Sequence, residues 1–67
     1  MSTGVVKFFD NNKGFGFIAQ DDGSPDIFVH ISAVERSGLR ELRDGQLVSF
    51  DVVQHKGKDN ADNIRLI

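Results

Sequence analysis

The sequence predicts an all-β fold: a five-stranded antiparallel barrel with a short helical turn after the third strand. Three observations predict it. Gly and Asx clusters cut the chain into short pieces at Asp10-Asn11-Asn12-Lys13-Gly14, Asp21-Asp22-Gly23-Ser24-Pro25, Arg43-Asp44-Gly45 and His55-Lys56-Gly57-Lys58-Asp59, and such clusters are turn signals. The runs between them are rich in β-branched and aromatic residues. A sheet of five short strands also gains from closing on itself, because closure removes exposed edges. One domain over residues 1–67 is expected, since two halves would each be too small to form a core without staples. Apolar residues make up 39% of the chain, enough for one small core.

The first strand, Val5 to Phe9, is apolar on both faces, so alternation leaves open whether Phe8 or Phe9 is buried. The second, Phe15 to Ala19, places Phe15 and Phe17 on one face and Gly14, Gly16 and Ile18 on the other. Glycine inside a strand needs a reason, either tight curvature or close approach of a second backbone. The third, Ile27 to Ile31, separates Phe28 and His30 from Ile27, Val29 and Ile31. The segment Ser32-Ala33-Val34-Glu35 has the spacing of a capping box, which predicts a helical turn starting at Ser32 and then a loop. A single helix from Ser32 to Arg43 is the competing reading, interrupted by Gly38. The fourth strand, Leu47 to Val53, assigns Val48, Phe50 and Val52 to the core and Ser49 and Asp51 to the outside. A weaker fifth run covers Asn63 to Ile67.

Several function classes are excluded or disfavoured. Without cysteine there is no disulfide, thiolate metal site or Cys nucleophile. The longest apolar runs are three residues, whereas a membrane helix needs about 20. Met1-Ser2-Thr3-Gly4 lacks the character of a signal peptide, so a cytoplasmic location is expected. Only His30 and His55 could act as neutral-pH bases, and no nucleophile–base–orienter set accompanies them. Neither an enzyme, a cofactor nor a metal site is therefore expected. The net charge of −2 is unlike that of a binder driven mainly by phosphate attraction. The distribution matters more than the total: Lys7 and Lys13 flank the first two strands and Lys56 and Lys58 share a glycine-containing loop, while most acidic residues lie elsewhere.

The second and third strands are the most informative. Their aliphatic faces suit a core, which leaves Phe15, Phe17, Phe28 and His30 on the other face. Exposing three phenylalanines together is costly and calls for a use. Stacking of unpaired bases is one such use, because every base offers a π-face. Burial of the same rings as core is the alternative, and the pattern alone leaves the two balanced.

Taken together these residues resemble the bacterial cold-shock domain. Lys13-Gly14-Phe15-Gly16-Phe17-Ile18 is similar to that family's first ribonucleoprotein motif and Ile27-Phe28-Val29-His30 to its second. Gly4-x-Val6-Lys7-x-Phe9, Asp26, Ser32-Ala33 and Gly45-x-x-Val48-x-Phe50 also fit, so the likeness covers nearly the whole chain. The resemblance implies an OB-type barrel that binds single-stranded RNA and DNA, particularly pyrimidine-rich strands, with little sequence selectivity. It implies an RNA chaperone that melts secondary structure and influences transcription or translation, with no obligate protein partner. It implies a binding face of Lys7, Phe8, Lys13, Phe15, Phe17, Asp26, Phe28 and His30, with Phe9, Ile31, Leu39, Lys56 and Lys58 at its margin. Four positions depart from the family's usual residues: Phe8 replaces Trp, Asp10 replaces Asn, Ile31 stands where many members have Phe, and Leu39 where an aromatic is common. The lost ring area predicts weaker binding than is usual. A protein-docking barrel using the same Phe face is the rival reading, opposed by Lys7 and Lys13, since interface cores are depleted in lysine.

Overall fold

The computed structural model describes residues 2–67. Five strands, β1 (Ser2–Asp10), β2 (Phe15–Gln20), β3 (Ile27–His30), β4 (Leu47–His55) and β5 (Lys58–Leu66), close a barrel in the order β1-β2-β3-β5-β4. One helix, α1 (Ile31–Arg36), follows β3. Four neighbouring pairs are antiparallel and the β3–β5 pair is parallel. A ring with an odd number of strands cannot alternate direction throughout, so one parallel pair is a geometric necessity. Here it joins at a single register pair, Phe28 with Asn60.

The core draws one or two side chains from every element: Val6, Ile18, Ile27 and Val29, Val34, Val48 and Phe50, and Ile64, all at most 1% exposed. Burying a side chain of this size contributes about 1.5–3 kcal/mol before chain entropy is subtracted.

The first strand resolves its ambiguity by a bulge. Val6 pairs with Ile18 and Phe8 with Phe17, so Lys7 is an extra residue without a partner of its own. A bulge sets two consecutive residues against one on the partner strand. Val6 is buried, Lys7 and Phe8 are both exposed, and Phe9 packs against the core. Gly16 answers the second question raised by the sequence. A Cβ there would collide with the Phe8 carbonyl oxygen and lie 2.8 Å from Phe9 Cα. Close approach of β1 requires glycine at this point.

The helix starts two residues before the position that the capping-box spacing suggests. His30, not Ser32, is the N-cap: its Nδ1 accepts the Ser32 backbone N–H at 3.1 Å. The imidazole nitrogen here does what an Asn or Asp oxygen does in commoner caps. Ile31 is accordingly the first helical residue, half-buried, and not a core member of β3. The helix ends at Arg36, short of the longer alternative to Arg43, with Leu39 N–H bonded to the Val34 carbonyl and Gly38 N–H to that of Glu35. This pattern is a Schellman motif, completed by Leu39 packed against the core. Ser37 joins α1 to β5, its hydroxyl donating to the Ala33 carbonyl and accepting the Ile64 N–H, both at 2.8 Å.

Two features of β4 and β5 differ from expectation. Val52 is 44% exposed and lies outside the core. The β1–β4 pairing ends at Ser2 with Phe50, so beyond Phe50 the strand has β5 alone as a partner. Ser49, read as outward, is only 9% exposed because Thr3 and Arg65 flank it on the neighbouring strands. The two strands also run further than predicted, to His55 and back from Lys58. The connection is the two-residue turn Lys56-Gly57, with φ of 54° and 78°. Positive φ at both positions is the type I′ geometry that matches strand twist, and glycine adopts it without a steric cost.

Candidate nucleic-acid interface

Cross-strand register assembles the candidate site. Opposite residues of an antiparallel pair share a face. Phe17 stands opposite both Phe8 on β1 and Phe28 on β3, and Phe15 stands opposite His30. Five rings from three strands therefore form one outer surface. Phe15 and Phe28 are nearly parallel, 18° apart with centroids at 5.7 Å. Phe17 meets Phe28 edge-on at 5.7 Å, Phe8 lies 5.7 Å from Phe17, and His30 extends the row 6.4 Å beyond Phe28. Edge-to-face and offset contacts are the favourable arrangements of ring quadrupoles, so the cluster supports itself without being buried. Phe8 is 40% exposed, and Phe15, Phe17 and Phe28 are half-buried.

Polar and charged groups surround the rings. Lys7, turned outward by the bulge, reaches the Asp26 carboxylate at 2.8 Å. Both side chains are well exposed, so this pair contributes no more than about 1 kcal/mol and leaves Lys7 available to another anion. Lys13 lies exposed in the β1–β2 turn. Asp10 organises that turn, its Oδ1 accepting the Asn12 and Lys13 N–H groups at 2.9 and 3.1 Å. The bond uses an acceptor oxygen, which Asp and Asn both possess. The β4–β5 hairpin brings Lys56 and Lys58 to a hollow that they share with Phe17 and Phe28. Lys56 and Lys58 thus share a surface with the ring cluster, and Lys7 and Lys13 are exposed on β1 and the turn that follows it, although the whole chain is acidic.

Three of the marginal residues stand differently. Phe9 and Leu39 pack against the core, outside the ring cluster. Ile31 is half-buried where its N–H donates to the Gly14 carbonyl at 2.8 Å. Sequence reasoning missed Ser32. Its hydroxyl lies 2.8 Å from His30 Nδ1, and its backbone N–H can only donate, so Nδ1 is the unprotonated ring nitrogen in the capped state. Nε2 then carries the hydrogen as a donor. The sequence does show a Ser two residues after His30, but its capping-box spacing points to Ser32 as the cap and not as the residue that is capped. No cluster of metal-ligating side chains exists among the described residues, and no helix there is long and apolar enough to cross a membrane.

The sequence matches the family described as the 'Cold-shock' DNA-binding domain over residues 2–67. This chain belongs to the cold-shock domain family. It is 61% identical over 67 residues to "Probable cold shock protein y4cH" of Sinorhizobium fredii, covering 97% of each chain. It is 55% identical to "Cold shock protein CspA" of Rhizobium meliloti, again with 97% of each covered. "Cold shock protein ScoF" of Streptomyces coelicolor is 52% identical over 64 residues and 96% of each chain. Nucleic-acid binding is the function that this membership supports.

Proposed function

We propose that this cold-shock domain binds single-stranded RNA and DNA by stacking unpaired bases on Phe8, Phe15, Phe17, Phe28 and His30. The observation that carries the reading is the contiguous ring surface, with centroid spacings of 5.7 to 6.4 Å, exposed on a barrel whose core is complete without it. Lys7, Lys13, Lys56 and Lys58 supply phosphate contacts, and Asp26 lies at the same edge. Rings that bind only unstacked bases pull a paired strand toward its open form by mass action, which is how such a domain acts as an RNA chaperone. Altered transcription or translation follows from which strands are kept open. Pyrimidine-rich strands, which stack weakly on themselves, are the favoured ligands. The domain works as a cytoplasmic binder, without catalysis, cofactor or obligate protein partner.

The test is fluorescence anisotropy with oligo-dT, poly-U and a duplex of equal length. Single strands are expected to bind at least about tenfold more tightly than duplex, and log affinity to fall linearly with log salt. Equal affinity for a hairpin stem and a T-rich strand would exclude stacking as the basis of binding. Salt-independent affinity would favour a protein-docking face.

A further inference from the structure

We propose that the cleft at the β3–β5 seam takes one nucleobase of the bound strand, beyond the ring surface. The proposal rests on the stacking reading. The seam is the barrel's least paired junction. Phe28 and Asn60 are its single register pair, whereas β4 and β5 pair along most of their length. Beside that pair a cleft of about 430 Å³ opens between α1, at Ser32 and Arg36, and the β4–β5 hairpin, at Gln54 and His55. That volume is within the usual range of small-ligand sites, about 300–1,000 Å³.

Continuity with the platform says which ligand arrives there. Phe28 and His30, the last two rings of the row, also line the cleft. Phe28, His55 and Asn60 are shared with the hollow that carries Lys56 and Lys58. A strand whose phosphates follow those lysines passes the mouth of the cleft as it leaves Phe28.

Charge says which part of the nucleotide enters. The Arg36 guanidinium is already matched by the Asp62 carboxylate at 3.0 Å, and both line the cleft. A phosphate would meet that carboxylate in the cleft, whereas the adjoining hollow offers Lys56 and Lys58 with no carboxylate in its lining. The remaining polar groups are the Gln54 and Asn60 amides, the Ser32 hydroxyl and the His30 and His55 rings, all hydrogen-bonding groups. Amide side chains pair two-pronged with base edges, and bases of single strands are read on those edges once splayed from the stack. An uncharged base fits this lining.

The experiment is an NMR titration of the whole chain with oligo-U of about four and about eight nucleotides, lengths that bracket what one OB-type barrel covers at minimum and with room to spare. Amides of the ring strands, at Phe15 and Phe17, are expected to shift with both. Those of Arg36 and Gln54 are expected to shift only with the longer strand. Gln54→Leu should weaken the longer strand by about five- to tenfold, the low end of one two-pronged base contact, and leave the shorter unchanged. An abasic site scanned along the longer strand should show one position, beyond the ring-bound bases, where the native chain loses affinity and Gln54→Leu loses none. Ring-strand shifts without cleft shifts, or equal loss at both lengths, overturn the cleft and leave the stacking reading intact. No shift at Phe15 or Phe17 overturns both.

Discussion

Phe50 and Phe17 are the same side chain on two faces of one barrel, and the contrast between them explains what each face is for. Phe50 is fully buried in a core cluster whose other members are aliphatic and come from every strand and from α1. Phe17 touches other rings on a surface open to solvent. Inside, phenyl area stabilises the fold by leaving water during folding. Outside, much of that area remains in water and is available to a ligand. The domain therefore keeps part of its apolar surface in reserve, and the cost is tolerable because the rings shield one another edge-on. Substitutions on the two faces should separate folding from binding.

The largest effect is expected at Phe50. Phe50→Ala should cost about 3–5 kcal/mol of stability, enough to unfold much of a domain this small at 37 °C. Chemical denaturation is the measurement, and nucleic-acid affinity per folded molecule should stay close to native. A folded Phe50→Ala variant with specifically weakened binding would mean that the two faces are not separable.

Gly16 comes next, because it lies where the faces meet. An added methyl would press on the Phe8 carbonyl and on Phe9 Cα, and backbone cannot yield as a flexible side chain does. Gly16→Ala should destabilise by about 1–3 kcal/mol, as overpacking does elsewhere, and should also misplace Phe8. Both a lower denaturation midpoint and weaker oligo-dT binding are expected. A stable variant with native affinity would show that β1 and β2 are not held as closely as the register implies.

Much of this contrast was legible in the sequence. The aliphatic faces of β2 and β3, the turns and the burial of Phe50 all follow from alternation and punctuation. What escaped has physical causes. The bulge at Lys7 is invisible because Val5, Val6, Phe8 and Phe9 are apolar on both faces, so a one-residue shift leaves the pattern unchanged. The last two residues of β4 and the first half of β5 escape because Gln54, His55, Lys58, Asp59 and Asn60 bury little, and a ribbon in water carries no period-2 signal. Val52 was placed inside because alternation cannot show where a neighbouring strand ends. The His30 cap was overlooked because Ser is a commoner N-cap than His. At the candidate site, the rings of β2 and β3 could be grouped from sequence, whereas the adjacency of Lys56 and Lys58 to Phe17 depends on strand order and could not.

The ring variants sharpen the comparison from the outer side. Phe15→Ala, Phe17→Ala and Phe28→Ala should each weaken single-strand binding by about 1–3 kcal/mol, the worth of one base stack. Each should lose much less stability than Phe50→Ala, since half-buried rings give up less buried area. Paired denaturation and anisotropy titrations on the same samples provide the check. If Phe17→Ala unfolds the domain as readily as Phe50→Ala, the ring surface is a second core and the functional reading of that face is wrong.

The smallest effect is expected at Phe8, the most exposed ring of the four outer phenylalanines whose exposure can grow a larger platform. Phe8→Trp should tighten binding several-fold and leave stability nearly unchanged. Indole offers more stacking area than phenyl and a stronger cation–π face. The gain is bounded, because a whole stack is worth only about 1–3 kcal/mol and Phe8 already supplies part of one. The backbone should accept the larger ring: Phe8 is 40% exposed and the bulge at Lys7 turns it outward. The variant would carry the chain's only Trp, so quenching by oligo-dT reports directly whether residue 8 meets the ligand. Quenching with a several-fold gain places β1 in the binding face together with β2 and β3. Quenching without a gain would make Phe8 a bystander at the rim, and the platform would then belong to β2 and β3 alone. No quenching and unchanged anisotropy would mean that β1 contributes only Lys7, and that the bulge serves charge placement and not stacking.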